Sequence, residues 1–305
     1  MKYDKDGHLI SPFYGYWPTQ YVCYIFLGVF VISTLLHLGQ AIKYRAWWLL
    51  PTAVLAGFGE SVGWAGRLWS SYAPLNENGY LIQIVCTIVA ATPLVGALFI
   101  TFGRIVICLG DHYGRLSSRL YSRVFLSIDF ICLVVQSAGG GMAATAKDHA
   151  GGILGSNIML AGIIVQLVSL TVFVALGAEY MWRYHNGIPL RPASMQVLRE
   201  SPSESSLLGG KQLPHPLKML LVGLCIETVV LYIRAIYRTV ELADGFNGKI
   251  IQTQIYFDLF DGLMVAIAMI ALSVFHPGLL LKRASELRER EFPMAAKQAY
   301  ADNFA

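Results

Sequence analysis

Four ionisable residues share one side of a predicted membrane-spanning helix. The stretch CIETVVLYIRAIYRTVE (225–241) contains Glu227, Arg234, Arg238 and Glu241. Their spacing places all four within about 60° of one another on a helix that turns about 100° per residue. Charged side chains are costly in lipid, so this stripe is expected to face a partner or a water-filled cavity. Such residues can bind the charged head group of an amphiphile or hold helices together as ion pairs.

Other predicted helices carry polar residues in the same pattern. The second and the fourth each have two polar residues seven positions apart, the fifth has one, and the seventh has three at intervals of four and three. Residues at these intervals share a helix face, so the pattern predicts one polar interior common to several helices. The candidate substrate-binding or coupling residues are Glu60, Arg67, Asp129, Gln136, Gln166, Glu227, Arg234, Arg238, Glu241, Asp258 and Asp261.

Two interpretations of the arginines stay open at this point. In the first, Arg67, Arg234 and Arg238 pair with acidic residues and lock the helices together, because buried ions need partners. The acids available for this are Glu60, Glu241, Asp258 and Asp261. In the second, the same network lines a route for an amphipathic substrate. The two can hold together, since an arginine anchored by a carboxylate still has donors to spare.

Composition and hydropathy place these residues in an all-α, polytopic membrane protein. The 305 residues are 55% hydrophobic and only 14% charged, and the mean hydropathy is +0.54. Soluble domains usually carry about 25% charged residues. A membrane-crossing helix needs about 20 apolar residues. Seven stretches qualify: 20–42, 49–70, 80–108, 122–144, 153–182, 216–240 and 253–281. We expect residues 1–305 to form a single seven-helix membrane domain.

The placement of lysine and arginine predicts the orientation. Loops on one side of the predicted bundle, together with the tail, hold most of these residues, whereas the other side holds Lys2, Lys5, Lys147 and Lys249. Basic residues are retained on the cytosolic side. The sequence therefore predicts an N-terminus outside, a cytosolic linker at 183–215 and a cytosolic tail at 282–305.

Two further patterns have local structural interpretations. Three consecutive glycines, Gly139 to Gly141, end the fourth helix, and small residues of this kind favour close helix packing. A break in the helix or a wall of exposed backbone is the alternative. His276 precedes Pro277 and Gly278 near the predicted cytosolic end, where we expect it to cap a helix.

The motif content limits the function classes. No G-x-x-x-x-G-K-[ST] sequence occurs, so a P-loop cannot supply energy from ATP. A lipid hydrolase would need a metal cluster or an activated nucleophile. The seven histidines lie mostly in loops, although a mixed His/Asp site stays open. We expect no catalytic site, metal or cofactor, and no nucleic-acid partner. A seven-helix lipid sensor that regulates other transporters is the main alternative to a transporter.

An ordered set of residues across the chain resembles the fungal lipid-translocating exporter family, which includes aminocholesterol-resistance and sphingoid-base exporter proteins. The matching positions are Glu60-x-x-Gly63-Trp64-x-x-Arg67, Gln83, Pro93, Gly103-Arg104, Asp129, Gln136, Gly139-Gly140-Gly141, Gly155, Gly162, Gln166, Arg234-x-x-x-Arg238-x-x-Glu241, Gly245, Asn247-Gly248, Asp261 and His276-Pro277-Gly278.

The resemblance implies a fungal plasma-membrane protein that moves lipid-like molecules or confers resistance to toxic amphiphiles. Sphingoid-base, aminosterol and porphyrin compounds are the implied substrate types, and membrane lipids the implied partners. The seventh helix departs from the family pattern. It has Gln254 where the family usually has Glu, and Asp258 where the family usually has an aromatic residue. The carboxylate is thus one helical turn further along the same helix face. This change bears on the expected substrate more than on the expected fold.

Overall fold

In the part of the chain that the structure describes, seven helices pack into a bundle. A computed structural model describes residues 11–146, 148–190, 213–245 and 248–287. The helices are α1 (Gln20–Lys43), α2 (Leu55–Tyr72), α3 (Glu77–Leu109), α4 (Ser118–Thr145), α5 (His149–Asn186), α6 (His215–Asp244) and α7. Helix α7 comprises Gln254–Phe257, a π-helical stretch Asp258–Leu263, and Met264–Val274. The predicted all-α membrane class is confirmed. The orientation of the termini stays a prediction.

Several helices extend beyond their predicted ends. Helix α5 was expected over 153–182 but begins at His149 and ends at Asn186, so the predicted linker starts several residues later than residue 183. Helix α6 likewise reaches Asp244, not residue 240. These extra turns carry polar residues that hydropathy excludes from a membrane span. Residues 191–212 of the linker and 288–305 of the tail lie outside the described residues.

Helix α2 differs from the other six. The other six helices are long and apolar enough to cross a membrane, whereas α2 has 18 residues and includes both Glu60 and Arg67. It is preceded by a short 3₁₀-helix, Trp47–Leu49, and by a π-helical stretch, Leu50–Val54. Together these segments cover the predicted span of 49–70.

The buried polar side chains share the interior of the bundle with a large apolar core, and the outer surface is apolar as well. Helix α1 packs against α2 and α7, α2 against α3, α3 against α4, α4 against α5, α5 against α6, and α6 against α7. Helix α3 also contacts α6 across the bundle and is the most enclosed of the spans. Large apolar residues such as Ile32, Ile131 and Val168 are exposed on the outer surface. This distribution suits a protein whose surrounding solvent is lipid.

Glycines set the closest helix contacts. A Cβ atom added to Gly139 would lie 2.7 Å from the backbone nitrogen of Met159, and one added to Gly155 would lie even closer to Ala143. These distances confirm the packing interpretation for Gly139, whereas Gly141 has no atom within 4 Å of an added Cβ atom. Between α2 and α3, a Cβ atom on Gly63 would lie 2.7 Å from Cγ2 of Thr87. The missing side chain at Gly63 therefore makes room for Thr87.

His276 caps the helical turns that follow α7. The helix ends at Val274, and helical structure resumes over 277–287. The backbone nitrogen of Leu279 donates a hydrogen bond to Nδ1 of His276 at 3.2 Å. The expected capping role of His276 is confirmed.

The segment that precedes α1 folds over one end of the bundle. Tyr14 is buried and packs edge-on against Tyr80 of α3, with ring centroids 4.9 Å apart. The indole nitrogen of Trp17 donates to the carbonyl of Ser71 at 2.9 Å. We call residues 11–19 the N-terminal segment. It covers the end of the bundle at which α2 ends and α3 begins.

Candidate functional site

The predicted stripe on α6 faces the interior of the bundle. Glu227, Arg234, Arg238 and Glu241 are all buried, and Arg234 is the most exposed of them at 8%. The face predicted from the spacing is therefore confirmed. Burial alone does not determine the chemical roles of these residues, which depend on their contacts.

Each guanidinium nitrogen of Arg238 bonds to a partner within the protein. Its Nε and Nη2 donate to the two carboxylate oxygens of Asp261 at 2.8 and 2.6 Å, a bidentate pair. Nη1 donates to Glu241 at 2.7 Å, and Nη2 also reaches Oγ1 of Thr87 at 2.8 Å. Tyr237 donates to the other oxygen of Glu241 at 2.7 Å. Arg238 therefore joins α3, α6 and α7, and four of its five N–H donors are used within the protein.

Arg234 is only partly committed. Its Nη2 donates to the backbone carbonyl of Thr87 at 2.7 Å. Its Nε lies 2.9 Å from Oδ1 of Asp261, an ion-pair distance at which the angle is unsuitable for a hydrogen bond. Its Nη1 makes no hydrogen bond to any described residue. Arg234 therefore keeps a donor that a ligand can use.

The π-helical stretch of α7 presents two acids to different arginines. Asp261 meets Arg234 and Arg238, whereas Asp258 lies 3.5 Å from Nη2 of Arg67. A π-helical turn changes the angular offset of the residues within it and is common at functional positions. Nε2 of Gln254 donates to Asp258 at 3.1 Å, so the two residues that depart from the family pattern contact each other.

Arg67 lies within a cage of aromatic rings. Its guanidinium carbon lies 4.5 Å from the ring centroid of Phe257 and 5.3 to 5.7 Å from those of Tyr14, Tyr16 and Trp64. Cation–π attraction is strong at desolvated sites of this kind. Nη2 of Arg67 also donates to the Tyr16 hydroxyl at 2.9 Å. The N-terminal segment therefore supplies two of the four rings that surround Arg67.

Tyr16 does not neutralise Arg67. Burial raises the pKa of the Tyr16 phenol above its ordinary value, although Arg67 acts in the opposite direction. The phenol therefore stays protonated at neutral pH. Asp258 is consequently the anionic partner of Arg67, at 3.5 Å.

The positive and negative charges of the ion network are equal in number without three of the predicted acids. Three arginines (Arg67, Arg234 and Arg238) meet three carboxylates (Glu241, Asp258 and Asp261). Glu60 was expected among the possible ion-pair partners, and this expectation is wrong. Both oxygens of its fully buried carboxylate lack a hydrogen-bond partner, and no described ion pair includes it. Two helical turns separate Glu60 from Arg67, so sharing a helix face does not bring their charges together.

Glu227 and Asp129 are also buried outside the ion network. Glu227 is 1% exposed, and its Oε1 accepts no hydrogen bond. Asp129 is 3% exposed and lies beside Gln166, but neither of its oxygens has a partner with hydrogen-bond geometry. A buried carboxylate in this position requires a proton or a bound cation. Glu60, Asp129 and Glu227 are therefore available for chemistry that the ion network does not need.

Two glutamine side chains form a relay across α3, α4 and α5. Nε2 of Gln136 donates to Oε1 of Gln166 at 2.9 Å, and Nε2 of Gln166 donates to Oγ1 of Thr92 at 3.1 Å. The Oε1 atom of Gln136 accepts no hydrogen bond. The predicted contribution of α4 and α5 to the polar interior thus consists of an amide relay backed by Asp129.

A pocket brings the relay and the arginines together. Its volume is about 30 Å³, room for about two water-sized groups. Four helices contribute its walls: Ile88, Ala91, Thr92 and Val95 from α3, Gln136 from α4, Ile163, Gln166, Leu167 and Leu170 from α5, and Leu231, Arg234, Ala235 and Arg238 from α6. The sequence predicted one polar interior shared by the second, fourth, fifth, sixth and seventh helices. The walls of the pocket come from α3, α4, α5 and α6, so α3 contributes where the sequence did not predict it, and α2 and α7 do not line the pocket.

Several contributors to the site were missed at the sequence level. Thr87 receives hydrogen bonds from both Arg234 and Arg238, and Thr92 ends the amide relay. A threonine in an apolar helix usually bonds its own backbone, as Thr87 also does to the carbonyl of Gln83, so it gives little signal in a sequence. Tyr16 was missed because the segment before α1 has no helical periodicity.

The structure also bears on the histidines considered for a hydrolase. Nε2 of His37 lies 3.1 Å from both the Met269 carbonyl and the Ser273 hydroxyl, and His276 acts as a cap. Within the described ranges, no three His, Cys, Asp or Glu side chains are grouped as metal ligands.

Comparisons with known proteins agree with the expected family. The family described as RTA1 like protein matches residues 53–284. The sphingoid long-chain base transporter RSB1 of Saccharomyces cerevisiae is 27% identical over 266 residues, which cover 82% of this chain and 69% of that protein. Protein RTA1 of the same organism is 25% identical over 230 residues, covering 75% and 66%, and protein RTM1 is 26% identical over 216 residues, covering 70% and 63%. No solved structure matches. The ordered motifs, the seven-helix bundle and the match over 53–284 show that the chain belongs to the RTA1-like protein family.

Proposed function

We propose that this protein moves amphiphilic lipids or lipid-like toxic compounds across the fungal plasma membrane without using ATP. The transporter named among its relatives, which acts on sphingoid long-chain bases, supports lipid-related transport. The proposed substrates are of the sphingoid-base, aminosterol or porphyrin type. Their movement confers resistance or maintains lipid balance. The N-terminus faces outside, the C-terminus faces the cytosol, and residues 1–305 act as a single membrane domain.

The observation that carries the proposal is the polar pocket inside an apolar bundle. Arg234 and the Gln136–Gln166 relay line a space between four helices whose outer surfaces are apolar. An amphiphile has a polar head that needs such a space and a tail that needs lipid. In the proposed mechanism the head passes through the bundle at the pocket while the tail stays in the bilayer.

The three acids outside the ion network provide a means of coupling. Glu60, Asp129 and Glu227 are buried, and none of them forms an ion pair with another described residue. A buried carboxylate must be neutralised by a cation or a proton. A cationic head group and a proton can compete for such a carboxylate, which links their movements. Energy then comes from the substrate gradient, from a proton or from another protein, since the sequence has no P-loop.

Flux of a labelled sphingoid base in proteoliposomes tests the proposal. Intact protein is compared with protein-free vesicles, with Glu227→Gln and with Glu77→Gln, which changes an exposed residue at the start of α3. All proteins are first shown to be folded and inserted to the same extent. We expect flux without ATP from the intact protein and Glu77→Gln, and reduced flux from Glu227→Gln.

The remaining outcomes separate the alternatives. Binding of the sphingoid base without flux in the intact protein would favour a lipid sensor that regulates other transporters. Neither flux nor binding would show that the substrate class is wrong. Release of the sphingoid base from an added ceramide, whose amide bond can be hydrolysed, would favour an intramembrane lipid hydrolase.

A further inference from the structure

Within the described part of the chain, the pocket reaches the surface of the protein on one side. Most of the residues that line it are buried, including every lining residue of α3 and α4. The lining residues that are partly exposed are Gln166 and Leu167 on α5 and Ala235 on α6. We call the side of the pocket formed by these three residues the mouth. It lies between α5 and α6.

The surface around the mouth is apolar. Val165 and Val168 on α5 and Ile236 on α6 lie beside it, and each of them is exposed. Such a surface faces the hydrocarbon of the bilayer. Arg234 lines the pocket and is buried, whereas Ala235, the next residue along α6, reaches the surface. A polar interior therefore lies directly behind an opening towards lipid.

The two helices that flank the mouth have few strong contacts with each other. Among the described residues, one hydrogen bond joins their side chains, between the hydroxyl groups of Tyr232 and Thr171 at 3.0 Å, and no ion pair does. By contrast, α4 meets α5 closely at Gly139, and Arg238 and Asp261 hold α6 to α7. Helices α5 and α6 can therefore separate at the mouth with the loss of one hydrogen bond between side chains.

The size of the pocket requires that most of a bound amphiphile lies outside it. A volume of about 30 Å³ accommodates about two water-sized groups. A small polar head has this size, but a hydrocarbon chain does not. A chain attached to a head in the pocket must leave through the mouth, because the other walls consist of buried residues.

We infer that the mouth is a lateral entrance from the bilayer, in which the hydrocarbon chain of an amphiphile lies between Leu167 and Ala235 while its polar head occupies the pocket. The inference rests on the proposed function and adds the route by which the substrate enters and leaves. Ala235 has the smallest side chain of the three mouth residues. The size of the residue at this position therefore sets the width of the entrance.

A photoreactive sphingoid base locates the chain in the intact protein. The probe carries a diazirine on its chain close to the head group, and it is added to the purified full chain in lipid nanodiscs. Mass spectrometry of peptides locates the adducts, with and without excess unlabelled base, because competition distinguishes bound probe from probe in bulk lipid. We expect the adducts that are lost on competition to lie on α5 and α6, around Leu167 and Ala235.

A substitution that narrows the mouth tests the same inference through flux. Ala235→Phe is compared with Ile236→Phe, because Ile236 is the next residue on α6, is 44% exposed and does not line the pocket. We expect Ala235→Phe to lose the competed adducts and to reduce flux of the labelled base about tenfold, as overpacking of the entrance implies. Ile236→Phe should change neither result. Ala235→Ser keeps the side chain small and should also retain both.

Competed adducts at another pair of helices would overturn the inference, and so would their absence while flux persists. Both results would leave the proposed function in place. Equal loss of flux in Ala235→Phe and Ile236→Phe would likewise count against an entrance at Ala235. The adducts of the intact protein decide the question even if Ala235→Phe fails to insert. Absence of competed adducts together with absence of flux overturns the proposed function itself.

Discussion

Arg238 and Asp261 join α6 to α7 through two parallel hydrogen bonds, Nε to Oδ1 at 2.8 Å and Nη2 to Oδ2 at 2.6 Å. Both side chains are essentially buried. The same arginine reaches Thr87 on α3. Three helices therefore depend on one ion pair for their relative positions, and this pair has the geometry that favours specific orientation.

Asp261→Asn should destabilise the protein strongly. The substitution leaves two buried arginines facing a neutral side chain, and breaking a buried pair in this way costs about 3–5 kcal/mol. Thermal unfolding in detergent or lipid measures the loss. Asp258→Asn is the comparison, because Asp258 is 15% exposed and lies 3.5 Å from its arginine. An equal loss of stability in both variants would show that the bidentate pair stabilises the protein no more than the pair of Arg67 and Asp258 does.

Gly63→Ala should destabilise the bundle through Thr87. The new methyl group would lie 2.7 Å from Cγ2 of Thr87, so Thr87 must shift and weaken its bonds to the arginines. Overpacking of this kind costs about 1–3 kcal/mol. Gly39→Ala on α1 meets no atom within 4 Å and should be neutral or stabilising by up to about 1 kcal/mol. The free energies of unfolding of the two variants decide the prediction.

Tyr16→Phe should loosen the N-terminal segment. The change removes the oxygen that accepts a hydrogen bond from Arg67, and a bond to a charged donor contributes about 1.5–3 kcal/mol. Limited proteolysis of the segment and the unfolding midpoint report the effect. Tyr21→Phe alters a tyrosine that is 68% exposed and should leave both unchanged. Unchanged proteolysis of Tyr16→Phe would argue that the aromatic rings alone hold the segment.

Tyr232→Phe should accelerate flux. The hydroxyl of Thr171 donates to the carbonyl of Leu167, so the Tyr232 hydroxyl, 3.0 Å away, donates to Thr171 and links α5 to α6. Both residues are adjacent in sequence to pocket-lining leucines. Removing a hydrogen bond of about 1 kcal/mol at this edge should increase the rate of flux about fivefold. Tyr256→Phe on the outside of α7 is the control. Slower flux with unchanged binding would contradict the prediction.

The inward faces of the helices could be predicted because a charged side chain that faces lipid has a high free-energy cost. Arg234, Arg238 and Glu241 share a face in the sequence, and the structure buries all three. Hydropathy likewise located the spans. Its errors at the ends of α5 and α6 arose where polar turns continue a helix beyond the apolar core.

The partners across helices could not be predicted in the same way. Spacing gives the direction of a side chain but not its depth relative to another helix. Glu60 and Arg67 share a face and yet do not pair, whereas Arg67 pairs with Asp258 on a distant helix. The π-helical stretch of α7 adds to the difficulty, because it rotates Asp261 relative to the preceding turn in a way that no regular period describes.

The position of the acids on α7 has a consequence for how the protein is made. Arg67 on α2 and Arg234 on α6 are synthesised before Asp258 and Asp261, and Glu241 is the partner that α6 itself supplies. Until α7 emerges from the ribosome, these two guanidinium groups lack their acidic partners, and charged groups resist transfer into lipid. Nine residues, 245–253, separate α6 from α7, short enough for the two to leave the translocon as a hairpin. A ribosome-bound chain that ends before α7 should therefore fail to hold α6 stably in the bilayer.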